Sequence, residues 1–214
     1  DPRLKINYSN KFEKLYSAKN KAVKLCKGEY LAFLDVDDWW EENKLEIKIK
    51  EMEKKECELS CSNYWVVNEK KNLKFPAFKN SIIKNNFFDY ALKKYFVGMS
   101  TLIIKKDIYN KLDYGFDQSF EIIGDYDLVL RLIKKYKIVY INDKLGFYRW
   151  HSENLSNKRF KLNIIELALW RKKMLKNNSF FNEANQKYLF DHILFLMSLY
   201  FKRKNNKRKI IFLL

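Results

Sequence analysis

Apolar residues recur at helical spacing from Phe12 to Lys27, at Leu15, Ala18, Ala22 and Leu25, and Gly28 follows as a stop. The next run, Tyr30-Leu31-Ala32-Phe33-Leu34, is short, continuously apolar and ended by Asp35-Val36-Asp37-Asp38, which predicts a strand buried on both faces. Helix, tight turn and buried strand are the grammar of an α/β sheet. Glu41 to Lys55 reads as a charged helix with Leu45, Ile49 and Met52 facing inward. Further along, the pattern predicts strands over Leu59–Asn68 and Ser100–Ile104, with a short helix at Asn86–Tyr95 and a helical turn at Lys106–Leu112. Gly124–Tyr136 is an amphipathic helix with Leu128, Leu132 and Ile133 inward, followed by strands at Ile138–Ile141 and Leu145–Trp150. Two longer helices, about 159–177 and 183–202, close the chain.

The 214 residues suit one domain with a helical appendage: residues 1–157 form the α/β part and 158–214 a basic helical extension. A hydrophobic fraction of 47% argues against disorder, and 5 Gly with 2 Pro exclude collagen-like and Pro-rich sequences. No run of 18 apolar residues predicts a membrane-spanning helix. Cys26, Cys57 and Cys61 lack zinc-type spacing and read as reduced thiols filling apolar space, which fits a cytoplasmic location. The net charge of +17 is uneven, because residues 158–214 carry 14 Lys/Arg against 3 acids. Leu194, Met197 and Phe201 can share a helical face beside Lys202-Arg203-Lys204 and Lys207-Arg208-Lys209. Such a face predicts peripheral contact with an anionic membrane, with packing against the α/β part as the alternative.

Three clusters could carry chemistry. Asp35, Asp37 and Asp38 end a strand, where open α/β sheets place their ligands. Asp35 and Asp37 project the same way if the strand continues, and such oxygens suit Mg²⁺ or Mn²⁺; the plainer alternative is a cap on the helix near Glu41. Gly124-Asp125-Tyr126-Asp127 opens a helix, where the N-terminal dipole favours the carboxylate anion. Tyr148-Arg149-Trp150-His151-Ser152-Glu153-Asn154-Leu155-Ser156 holds one of only two histidines beside a phosphate-binding residue type. Trp39 and Trp40 read as packing rather than as stacking surfaces for a sugar.

In order, SAKNKAVKLCKGEYLAFLDVDDWW, GDYDLVLRL and YRWHSENLS resemble the family 2 glycosyltransferases of the GT-A fold, over about Leu15 to Ser156. The resemblance implies a Rossmann-like mixed sheet flanked by helices, and inverting transfer from a nucleotide-sugar donor, a UDP-sugar foremost. A glycan or glycolipid acceptor follows, in cell-surface polysaccharide or lipopolysaccharide synthesis at the inner face of the membrane; nucleic acid is not an expected partner. It makes Asp125 the general base, with Asp127 as its rival, and Asp37 a metal ligand with His151 contributing. Asp35, Lys19, Asn20, Arg149 and Ser156 would face the nucleotide diphosphate, Lys19 standing where the family often has Arg. Gly124 stands where a Glu often accompanies the base. The family's first strand, its P-x-Y-N turn and a D-G-S stretch have no counterpart here, so the chain is expected to be a piece entering just after them. Two other classes compete: a phosphohydrolase of the haloacid-dehalogenase type, which also ends a strand in Asp-x-Asp, and a non-catalytic basic binding module.

Overall fold

A computed structural model describes residues 2–8, 14–79, 86–176 and 180–203, without the side chains of 156, 157 and 203. Within these residues a six-stranded mixed sheet has the order β1-β5-β3-β6-β2, with β4 paired to β3. The strands are β1 (Tyr30–Ala32), β2 (Trp39–Trp40), β3 (Leu59–Asn68), β4 (Leu73–Pro76), β5 (Ile103–Lys105) and β6 (Ile138–Arg149). Only β3 and β6 run parallel; the other pairings are antiparallel. Helices α1 (Leu15–Leu25), α2 (Lys44–Lys54), α3 (Phe87–Lys93), α4 (Lys106–Asn110) and α5 (Gly124–Lys135) flank the sheet. A short α6 (Leu155–Lys158) leads into α7 (Phe160–Met174) and α8 (Glu183–Arg203), the C-terminal helices. One main core joins the sheet to α5, α7 and α8, through Leu128, Leu132, Trp170 and Leu189 among others. No helix among the described residues is long and apolar enough to cross a membrane.

Several expectations change. Residues 30–34 do not form a strand buried on both faces: only Tyr30–Ala32 are extended, paired antiparallel with β5 on one side, and Leu34 is 48% exposed. An edge position leaves such a strand half uncovered. Trp39–Trp40, where the pattern predicts no strand, pair with Gly146 and Phe147 as β2. The two strands expected at 138–141 and 145–150 are one strand, because a register shift beside Asn63 absorbs the polar Asn142-Asp143-Lys144 without a turn. Cys57 and Cys61 are buried free thiols as expected, whereas Cys26 is exposed.

The helical faces are also rotated from the expected ones. In α1 the buried residues are Tyr16 and Val23, while Leu15 and Leu25 are exposed. In α2 the buried row is Lys44, Lys48 and Met52, one turn apart, and Leu45 is exposed. Two lysines therefore occupy a core face, for a reason visible in the backbone opposite. The tight turn Met99–Thr101 and strand β3 present backbone carbonyls to this face, and buried carbonyls need donors. Lys44 Nζ donates to Ser100 O at 2.6 Å and lies 3.4 Å from the centre of the Trp40 ring. Lys48 Nζ donates to Ser60 O at 3.2 Å and also to Thr101 O.

Burial pushes the Lys48 ammonium down to about 7, so between there and its ordinary value near 10.5 the unfolded chain holds a proton that the folded chain has released. Stability must then rise with pH across that window, by at most about 1.4 kcal/mol per pH unit for this group. Urea unfolding of wild type and Lys48→Met at pH 7 and pH 9 measures it. The wild type should gain on the variant as pH rises, and parallel pH slopes would refute the assignment.

Candidate active site

The residues expected to act are set by loops at one end of the sheet. After β1 the strand does not continue; Asp38 N donates to Asp35 O at 3.1 Å, closing a turn that sends the three carboxylates to different partners. Asp35 pairs with Lys19 of α1 at 3.0 Å. Asp37 Oδ2 meets His151 Nε2 at 2.9 Å. Asp38 accepts from Ser100 Oγ at 2.6 Å and from the Arg149 backbone N–H at 3.1 Å. Burial raises the Asp38 pKa, against those two hydrogen bonds. The capping alternative fails: α2 starts three residues beyond Glu41, its cap residue is Asn43, and no side chain caps it.

Asp125 is in the first turn of α5, but the helix terminus does not decide its acidity. Burial raises its pKa, opposed by the Tyr126 N–H at 2.8 Å, by the Lys19 charge and by the Tyr16 hydroxyl at 3.3 Å. A carboxylate raised in this way is a better proton acceptor than an exposed one. Asp127, the rival, is fully buried and saturated: Trp170 Nε1 donates at 2.9 Å and Arg131 at 2.7 and 3.0 Å. It anchors α7 to α5 and has no face toward a substrate. Asp35, Asp38 and Asp125 line one cavity of about 200 Å³ together with Tyr64, Tyr95, Ser100 and Tyr148.

The remaining expected residues divide. Lys19 joins the acidic group, since its charge acts on Asp35 and on Asp125. Arg149 donates from Nε to Asp37 O at 3.0 Å, pairs with Glu69 at 2.9 Å and lies over the Trp39 ring. Asn20 is held by the protein itself, its amide bonding both backbone groups of Phe116 and the Tyr109 hydroxyl. Ser156 falls in α6, and its side chain lies outside the described residues. Trp39 stacks on Phe147 at 4.9 Å and Trp40 donates to Ser100 O at 2.7 Å, so both indoles pack as expected.

Asp37 and His151 make a mixed oxygen–nitrogen pair, both part-exposed. The His151 Nδ1 accepts the Glu153 N–H at 3.1 Å, which leaves the ring proton on Nε2, facing Asp37. A divalent cation taking both side chains would replace that proton. Among the described residues no three His, Cys, Asp or Glu side chains converge on one point. Two protein ligands fit Mg²⁺ or Mn²⁺, which keep waters and share phosphate oxygens.

Several supports have no local sequence signal. Ser100 bridges Asp35 N and Asp38 through one hydroxyl, at 3.2 and 2.6 Å. Gly124 leaves room for the Tyr16 ring: a Cβ there would lie 2.5 Å from it, which accounts for the missing acid at this position. Glu166 of α7, almost fully buried, accepts from the backbone N–H groups of Glu121, Ile122 and Ile123 at 2.7, 2.9 and 3.1 Å. Tyr16 donates to Ile122 O at 2.8 Å from the other side. The loop that delivers Asp125 is therefore clamped by α1 and α7.

The sequence profile of Glycosyl transferase family 2 matches residues 1–112. A UDP-Glc:alpha-D-GlcNAc-diphosphoundecaprenol beta-1,3-glucosyltransferase of Escherichia coli is 31% identical over 75% of this chain and 61% of its own length. A putative teichuronic acid biosynthesis glycosyltransferase of Bacillus subtilis is 27% identical over 75% of this chain and 62% of its own. The chain thus spans about three fifths of these relatives. In fold it is similar to S. aureus TarS 1-349 in complex with UDP-GlcNAc, at a TM-score of 0.56 and 15% identity, covering 86% of this chain and 52% of that one. The mixed sheet with flanking helices is thus the GT-A arrangement. The matches favour neither the phosphohydrolase nor the non-catalytic binding module.

Glu166→Ala would leave three N–H groups, one buried and two part-buried, without their acceptor, at up to about 1–3 kcal/mol each before relaxation. Thermal melts should show a fall of about 5–10 °C, with Glu166→Gln intermediate. A shift under 1 °C for the alanine variant would remove the clamp from the account.

Proposed function

The chain belongs to glycosyl transferase family 2, and we propose that its site moves a sugar from a nucleoside-diphosphate sugar to an acceptor hydroxyl with inversion. The observation that carries this reading is the single cavity shared by Asp125 and the Asp35–Asp38 turn. Asp125 takes the proton of the acceptor hydroxyl as that oxygen attacks the anomeric carbon. The bond from that carbon to the diphosphate oxygen breaks, its electron pair leaving with the nucleoside diphosphate. Attack opposite the leaving group inverts the centre. Lys19, Arg149 and the Ser156 position line the diphosphate side, Lys19 as a point charge. Asn20 contributes by fixing Phe116 rather than by touching donor. Asp37 and His151 would hold Mg²⁺ or Mn²⁺, which when bound neutralises charge on the diphosphate.

The printed activities of the relatives support a UDP-sugar donor and a lipid-linked or polysaccharide acceptor. A peripheral anionic-membrane contact belongs to the same proposal. Between α7 and α8 runs an apolar groove of about 840 Å³, lined by Ile165, Leu169, Met197 and Phe201 and flanked by Lys161 and Lys172. Leu194 is not among its lining residues, and the expected cations at 204 and 207–209 lie outside the described residues.

UDP-sugar turnover with Mn²⁺ tests the chemistry. Asp125→Asn should cut kcat about 10²–10⁴-fold with donor KM nearly unchanged, and Asp37→Asn should remove the metal dependence of donor binding. Because burial raises the Asp125 pKa, kcat should fall with decreasing pH above the usual carboxylate range. Full activity in excess chelator, or an unimpaired Asp125→Asn, contradicts the respective role. For the membrane contact, binding should be tighter to anionic than to neutral vesicles at physiological salt and weaker for Leu169→Asp; equal binding to both vesicle types sinks it.

A further inference from the structure

Tyr95 lies in the short segment between α3 and the turn Met99–Thr101, and it lines the cavity shared by Asp35, Asp38 and Asp125. Its ring is held edge-on against Tyr126 at 5.2 Å. Its hydroxyl is buried and has no hydrogen-bond partner among the described residues. Buried hydroxyls without partners are uncommon and costly, so each one needs an explanation. The Tyr140, Ser60 and Ser62 hydroxyls are also unpartnered, but none of them lines this cavity. Among the described residues, Tyr95 alone combines an unmet hydrogen bond with a place in the wall of the site.

We propose that the Tyr95 hydroxyl is a specificity contact, donating to a hydroxyl or ring oxygen of the donor sugar. The assignment rests on the reading of the site as a glycosyltransferase centre. In that reading the diphosphate lies toward the Asp35–Asp38 turn and the acceptor oxygen at Asp125, so the space between them belongs to the sugar. The rest of the wall suits such a ring. Tyr64 and Tyr148, in edge contact at 6.3 Å, offer apolar surface to C–H groups, and the carboxylates accept from sugar hydroxyls. Burial and the neighbouring Asp125 raise the Tyr95 pKa well above its ordinary value, so the hydroxyl stays protonated and acts as a donor. A site that presents a desolvated donor discriminates against analogues lacking the matching oxygen.

The test compares wild type with Tyr95→Phe in two measurements on the whole chain. In thermal melts without nucleotide, Tyr95→Phe should melt at or above the wild-type temperature, because it removes a buried group that has no partner. In titrations with UDP, UDP-glucose, UDP-galactose and UDP-N-acetylglucosamine in Mn²⁺, UDP affinity should be unchanged. Affinity for the sugar nucleotide that wild type holds tightest should fall about tenfold. Unchanged sugar-nucleotide affinity overturns the proposal, as does an equal loss for UDP, which would make Tyr95 a support for the nucleotide. A melting point lowered by several degrees would make the hydroxyl structural and also overturn it. If wild type binds none of the four nucleotides, the glycosyltransferase reading itself fails, and this assignment with it.

Discussion

Carboxylates gathered at one cavity repel one another, and everything around this site serves to hold them there. The solution is a separate partner for each. Asp35 has a lysine, Asp37 a histidine, Asp38 a hydroxyl and a backbone N–H, and Asp125 a backbone N–H with a tyrosine. Because the partners come from α1, the turn Met99–Thr101, β6 and the segment after it, the group of acids exists only when those elements are assembled. The turn after β1 is what separates the side chains; a continuing strand would have put Asp35 and Asp37 side by side.

The same constraint accounts for the two lysines on the core face of α2. Ser100 presents its hydroxyl to Asp38, and the carbonyls of Ser100 and of the following Thr101 accept from Lys44 and Lys48. Lys44 and Lys48 are long enough to reach them with the ammonium while their methylenes pack beside Met52. A polar requirement at the site thus appears as charged residues where periodicity would place aliphatic ones.

Much of this was legible in the residues. The Asp35–Asp38 run, the Gly124–Asp127 run and the His151 segment carry the family resemblance, and β3 and the inner stripe of α5 follow their patterns residue for residue. What was not legible shares one property: it depends on partners distant in sequence. The α2 face was missed because lysines count as polar in any periodicity. Trp39–Trp40 are too few to show alternation, and the bulge beside Asn63 hides that residues 138–149 are one strand. Ser100 and Tyr95 look like ordinary loop residues, and Glu166 resembles a solvated acid among many. Asp127, the same residue type two positions from Asp125, is set apart by its bonds to Trp170 and Arg131.

The Glu166 clamp also bears on how the molecule is made. The loop that carries Asp125 accepts its restraint from a residue more than forty positions later, and Trp170 fixes Asp127 across a similar separation. On the ribosome, where the chain emerges from its N-terminus at about 5–20 residues per second, the sheet and the Asp35 turn become available first. The loop that carries Asp125 can be held only from the α1 side, by Tyr16, until α7 has cleared the exit tunnel and docked. The Glu166 side of the clamp is therefore set after the strands of the sheet have all been made.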